Sequence, residues 1–104
     1  MIRASFLYRA SPSARFDFGY YLDRHVPFAR RVLSGHGLVK LEVDRGISGE
    51  EAGSAPPCVC AAHLYFASAE AFYGAMVAVG DELGRDVPNY TDTEIETQVS
   101  EIVG

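Results

Sequence analysis

The stretch Tyr20-Tyr21-Leu22-Asp23-Arg24-His25-Val26-Pro27, continued by Phe28-Ala29-Arg30-Arg31-Val32-Leu33, decides how this chain is read. Phe18, Tyr21, Leu22, His25, Phe28, Ala29, Val32 and Leu33 recur at helical spacing, so residues 17–33 are predicted as one amphipathic helix. Asp17 is placed to cap it. Pro27 interrupts the pattern. It has no N–H for the Asp23 carbonyl and its ring crowds that carbonyl, a defect that costs about 3 kcal/mol in a regular helix interior. The chain must therefore start a new helical piece at the proline or hold His25 in an irregular segment. The freed Asp23 carbonyl is then available to the His25 ring or to water.

Working outward, Ile2 to Arg9 alternate as a strand with Phe6 and Tyr8 on one face, and Ser11-Pro12-Ser13 is a turn. Ser34-Gly35-His36-Gly37 ends the helix and leaves His36 exposed. Leu38 to Arg45 is a second strand, with Val39, Leu41 and Val43 on one face and Lys40, Glu42 and Asp44 on a solvated one. Gly46 to Pro57 is a loop, the longest connection and the one expected to be most mobile. Val59 to Phe66 is almost wholly apolar, hence a central strand. Ser68 caps a second helix over about 69–85, with Phe72, Met76, Val79 and Leu83 turned inward. Gly74, Gly80 and Gly84 either weaken that helix or permit close packing. Val87-Pro88-Asn89 stops it, and Thr93 to Val103 is the last strand.

The order β-α-β-β-α-β predicts an α+β, ferredoxin-like protomer: a four-stranded antiparallel sheet with both helices on one face. The 104 residues are expected to form one domain. The other sheet face has no cover within the chain. Expected to carry Leu, Tyr, Val and Ile side chains, it calls for a second copy across a two-fold axis, so a homodimer through the open sheet face is predicted.

No apolar run is long enough for a membrane span, and the N-terminus reads as a strand, not a signal segment. A cytoplasmic protein without a membrane partner is expected. Cys58 and Cys60 lie two apart on one strand, too far for a mutual disulfide, and are expected to be free thiols. Up to Arg45 the chain has eight basic residues against four acids, and beyond it one base, Arg85, against ten acids. Both halves share one small fold, which points to internal or inter-subunit charge matching. With a net charge of −5 and no basic stripe, a nucleic-acid partner is not expected.

Two histidines are candidates for chemistry, because a neutral imidazole exchanges a proton near physiological pH. His25 shares the apolar stripe and is either a structural residue at the proline or a binding or catalytic group. His63 alternates with Val59, Ala61 and Tyr65 toward the open face, where it either meets a ligand or bonds across the dimer interface. Tyr8, Tyr21, Tyr65 and Tyr90 are candidate ligand-binding residues, since a phenol joins an apolar ring to a hydroxyl and suits small aromatic or oxygenated metabolites. Nothing suggests a covalent nucleophile. No histidine pair or ligand cluster has metal spacing, and no cofactor fingerprint is present.

Together, the strand ending Leu7-Tyr8-Arg9, the Tyr20–Ala29 segment with Tyr21, His25 and Pro27, the Leu64-Tyr65-Phe66 strand end and Asp86-Val87-Pro88-Asn89-Tyr90-Thr91-Asp92 resemble the EthD family, named for ethyl tert-butyl ether degradation. The resemblance spans essentially the whole chain. It implies a dimeric α+β barrel, a fold shared with cofactor-independent monooxygenases and muconolactone isomerases. It further implies either an accessory that binds a small metabolite in oxidative catabolism or a cofactor-free oxygenase or isomerase using His and Tyr as acid and base. His25 carries over as a pocket residue only.

Overall fold

The computed structural model describes every residue from Met1 to Gly104. Its elements are β1 (Ile2–Arg9), α1 (Phe18–Tyr20), a π-helical turn (Tyr21–His25), α2 (Val26–Ser34), β2 (Lys40–Arg45), β3 (Cys58–Phe66), α3 (Ala69–Asp86), a 3-10 turn (Val87–Asn89) and β4 (Ile95–Glu101). The strands form one antiparallel sheet in the order β2-β3-β1-β4, with the helices on one face. This is the ferredoxin-like α+β arrangement expected from the element order, with the apolar β3 inside the sheet and the half-polar β2 at its edge.

The proline is accommodated as the sequence demanded, by a break in the ladder. Asp17 caps α1 by accepting from the Tyr20 N–H at 3.0 Å. The backbone then widens into a π turn, in which the Val26 N–H reaches the Tyr21 carbonyl five residues back. Pro27 falls in the first turn of α2, where a missing N–H costs little. The extra residue in the turn rotates the stripe. Leu22, expected inside, is 46% exposed, while Val26, which the helical spacing did not select, is buried. The His25 ring does not turn back to the Asp23 carbonyl but reaches α3 instead.

Ser68 caps α3 by accepting from the Ala71 N–H at 3.1 Å. Phe72, Ala75 and Val79 are its buried residues, whereas Met76 and Leu83 are only half-buried because they border a cavity. The core is completed by Ala4 and Tyr8 of β1, Cys60, Ala62, Leu64 and Phe66 of β3, and Leu33 of α2. Cys58 and Cys60 are free thiols, and burial pushes that of Cys60 up to about 12. The 46–57 connection is braced internally: Gly49 N–H reaches Ser54 Oγ at 3.1 Å and Ser54 Oγ donates to the Glu51 carbonyl at 2.6 Å. At its start the chain runs so close to β3 that a Cβ on Gly46 would sit 2.1 Å from the Cys58 carbonyl oxygen.

The open face carries the expected apolar residue types, but only over part of its area. Tyr8 pairs with Ile95, and that register turns Ile95 and Val99 toward the helices and Glu96, Gln98 and Ser100 outward. The apolar part of the open face is Leu7, Val59, Ala61 and the Tyr65 ring, within a frame of polar contacts that includes the Arg9–Glu96 ion pair. Ile102, the next outward position after Ser100, adds an exposed isoleucine at the margin of that face, its N–H bonded to the Met1 carbonyl.

A phenol-lined cavity closed by a histidine–aspartate pair

Between the sheet and the helices lies a cavity of about 270 Å³. Its floor is Phe6 and Tyr8 of β1, Ala62 and Leu64 of β3, and Ile95 and Thr97 of β4. Tyr21, His25, Val26 and Ala29 close one side, and Met76, Gly80, Leu83 and Gly84 the other. The glycines do not bring two backbones together. A Cβ at Gly84 would meet nothing within 4 Å, and one at Gly80 would touch only Met76. Their effect is to leave α3 without side chains where the cavity opens.

Aromatic rings from distant parts of the chain gather at one end. Tyr8, Tyr21 and Tyr90 pack edge-on or tilted, with Tyr8–Tyr21 centroids 5.8 Å apart and Tyr21–Tyr90 centroids 4.8 Å apart, geometries favoured by ring quadrupoles. Tyr90 is delivered by the segment after α3, which is tied to the chain before α1. Asp17 N–H reaches the Tyr90 carbonyl at 2.7 Å, Thr91 Oγ1 donates to the Arg15 carbonyl at 2.7 Å, and the Asp92 carboxylate accepts from the Arg15 N–H at 2.7 Å. The Tyr8 and Tyr90 hydroxyls are 2.8 Å apart. Burial raises all three phenols above their usual range, most for Tyr21 and Tyr90, so they stay protonated and act as neutral donors and acceptors.

His25, at the end of the π turn, is 7% exposed and packs between Tyr21 and Tyr90. Its Nδ1 lies 2.8 Å from Asp86 Oδ2, at the end of α3. The other Asp86 oxygen accepts from the Tyr20 hydroxyl at 2.5 Å and from Asn89 Nδ2 at 3.0 Å. Burial pushes the Asp86 carboxyl up, but the hydrogen bonds from Tyr20, Asn89 and His25 outweigh it and hold the group below the ordinary carboxylate value. Asp86, Tyr20 and Asn89 line a polar groove on the outside of the helices, whereas the His25 ring lines the cavity. The pair thus spans the wall between them.

Of the residues singled out from sequence, the structure brings Tyr8, Tyr21, His25 and Tyr90 together and leaves His63 and Tyr65 on the other face of the sheet. His63 already has two partners: Nδ1 is 2.8 Å from Ser5 Oγ and Nε2 is 2.8 Å from Asp44 Oδ2. Tyr65 donates to Glu42 at 2.8 Å, and Lys40 Nζ lies 4.6 Å from its ring centre. Sequence reasoning did not single out Asp86, Tyr20 or Asn89. All three stand inside the two quoted segments, Tyr20–Ala29 and Asp86–Asp92, and that is the signal that marks them.

A model of the EthD domain matches residues 11–94. No curated protein matches the chain. Among solved structures, an EthD-like protein from Ralstonia eutropha JMP134 is 37% identical, with a TM-score of 0.92 over 99% of this chain and 92% of its own. An ethyl tert-butyl ether degradation family protein from Bacillus halodurans C-125 is 17% identical, with a TM-score of 0.70 over 99% of both chains. A DABB family protein with a ferredoxin-like fold from Mesorhizobium loti MAFF303099 shares the fold at 20% identity, with a TM-score of 0.59 over 99% of this chain and 97% of its own. No helix is long and apolar enough to cross a membrane. With the domain model covering most of the chain and a close structural relative along nearly its whole length, the chain belongs to the EthD family.

Proposed function

We propose that this EthD-family protein binds a small, largely apolar, oxygenated metabolite in the cavity between sheet and helices, and does so as a homodimer joined through its open sheet faces. The single observation that carries the reading is the cavity, apolar over most of its wall with a histidine and three neutral phenols at one end. An engineered cavity of about 150 Å³ holds benzene, so about 270 Å³ suits a substituted monocyclic compound. A place beside oxidative catabolism is supported by the family's name alone.

The His25–Asp86 pair favours a second reading, a cofactor-free enzyme in which His25 accepts a proton. Thermal melting with para-ethylphenol as probe tests the first. At ten times Kd, bound probe stabilises the protein by about 1.4 kcal/mol, roughly 6 °C for a domain this small. The Gly84→Leu variant, with a side chain in the mouth of the cavity, should melt cooperatively at or above the wild-type temperature and show no shift with the probe. Equal shifts in both proteins would place binding elsewhere. Turnover of an oxygenated substrate that vanishes in a folded His25→Ala variant would establish the second.

A further inference from the structure

The His25 ring presents its two nitrogens to different environments. The low-lying Asp86 carboxylate is held by two further donors and only accepts hydrogen bonds. In a neutral His25 the proton therefore sits on Nδ1, and Nε2 carries a lone pair. No protein group bonds Nε2. Nor is it sealed: Arg3 Nε is the one buried side-chain polar atom without a partner, so a solvent-sized probe reaches Nε2. The ring borders the cavity while Asp86 borders only the outer groove, so this lone pair serves the cavity.

We propose that the cavity selects a ligand bearing a hydroxyl, a phenol or an enol, which donates to His25 Nε2, and that Asp86 is the positioning residue that enforces this by fixing the imidazole tautomer. The other polar side chains that line the cavity, the phenols of Tyr8, Tyr21 and Tyr90 and the Thr97 hydroxyl, both donate and accept and impose no such choice. His25 Nε2 is an obligate acceptor in this tautomer. An ether or ester of the same shape has no proton to give it and leaves the lone pair unmatched in an apolar surrounding. The proposal rests on the cavity being the binding site and adds the polarity of the bond made there.

The substitution Asp86→Asn tests the tautomer. Tyr20 and Asn89 both donate to the Oδ1 side, so the amide oxygen stays there and the new NH2 faces His25 Nδ1. The ring must then carry its proton on Nε2 and becomes a donor to the cavity, the same wrong-tautomer logic known for the aspartate of serine proteases. Nitrogen NMR of isotope-labelled protein, taken along a pH titration and read in the neutral form of the ring, shows the tautomer directly. The wild type should show Nδ1–H with an unprotonated Nε2, and the variant the reverse. Calorimetric titration with para-ethylphenol and para-ethylanisole reads the consequence. The wild type should favour the phenol by roughly three- to tenfold, the weight of one net hydrogen bond, and the variant should lose or invert that preference. Equal affinity for the two probes in the wild type, or an Nε2–H tautomer in the free wild type, overturns the proposal while the cavity reading stands. Binding of neither probe overturns both. The two wild-type measurements decide the matter even if the variant folds poorly.

Discussion

The hydroxyls of Tyr8 and Tyr90 meet at 2.8 Å although 82 residues separate them in the chain. One ring comes from β1, an inner strand of the sheet, and the other from the segment that follows α3. Their bond is buried, so removing one partner strands the other. Tyr8→Phe and Tyr90→Phe should each cost about 1–2 kcal/mol in urea unfolding, and the double substitution should cost less than the sum of the two. Strict additivity would show that the hydroxyls do not depend on each other.

The same cluster sets an alkaline limit. Burial raises the folded-state pKa of Tyr8, Tyr21 and Tyr90 above the unfolded value of 10.0. Stability from keeping these phenols neutral is fully present below pH 10.0 and falls as pH rises past it. Tyrosinate absorbance from the three should appear together with the loss of circular dichroism. Ionisation of every tyrosine while the fold persists would contradict the packing.

Asp86 acts at the opposite end of the pH scale. Its folded pKa lies below the unfolded value of 3.8, so its contribution is complete above that value and is lost as pH falls through the lower folded one. The stability gap between wild type and Asp86→Asn should therefore be constant near neutrality and close in acid. A gap that persists unchanged well below pH 3.8 would mean that the carboxylate is not held by Tyr20, Asn89 and His25.

Gly84 stands on an exposed turn of α3 with open space where a Cβ would go. Gly84→Ala should raise stability by about 0.5–1 kcal/mol through the backbone alone. A destabilised variant would mean that the helix needs the glycine for its backbone and not for the cavity mouth.

The dimer proposed for the open face has a simple mutational test. Leu7 and Ala61 are cross-strand partners there, in the small apolar centre of an otherwise polar surface. Leu7→Glu sets a charge at that centre and should shift sedimentation from dimer to monomer with the fold intact. A variant that remains dimeric would move the interface to another surface.

The order of the elements and the two helix caps were legible because they depend on local chemistry. Asp17 and Ser68 each bond an N–H three residues ahead, and the apolar run of β3 announces a strand inside the sheet. The faces of β1 and β3 followed from period-two alternation. The helix phase before Pro27 did not, because a π turn adds a residue that no hydrophobic period records, and Leu22 and Val26 exchange roles as a result. The tyrosine and histidine side of the cavity was foreshadowed by Tyr8, Tyr21, His25 and Tyr90. Asp86 was not, since an acid at a helix end reads as a solvated charge until its partner 61 residues away is known. Which β4 side chains face outward was not legible for a similar reason: the parity of β4 is set by the pairing of Ile95 with Tyr8, a long-range choice.

The π turn has a genetic meaning. It is one residue longer than the α turn it replaces, so the distance between a plain helix and one that presents His25 to both Asp86 and the cavity is a single inserted codon. Deleting Leu22, whose exposed side chain contributes little to the core, would close the turn into an ordinary helix. The sheet would keep its cover, and the histidine would swing out of reach of Asp86. In this chain the sheet and its cover do not depend on the one residue that sets the histidine's direction.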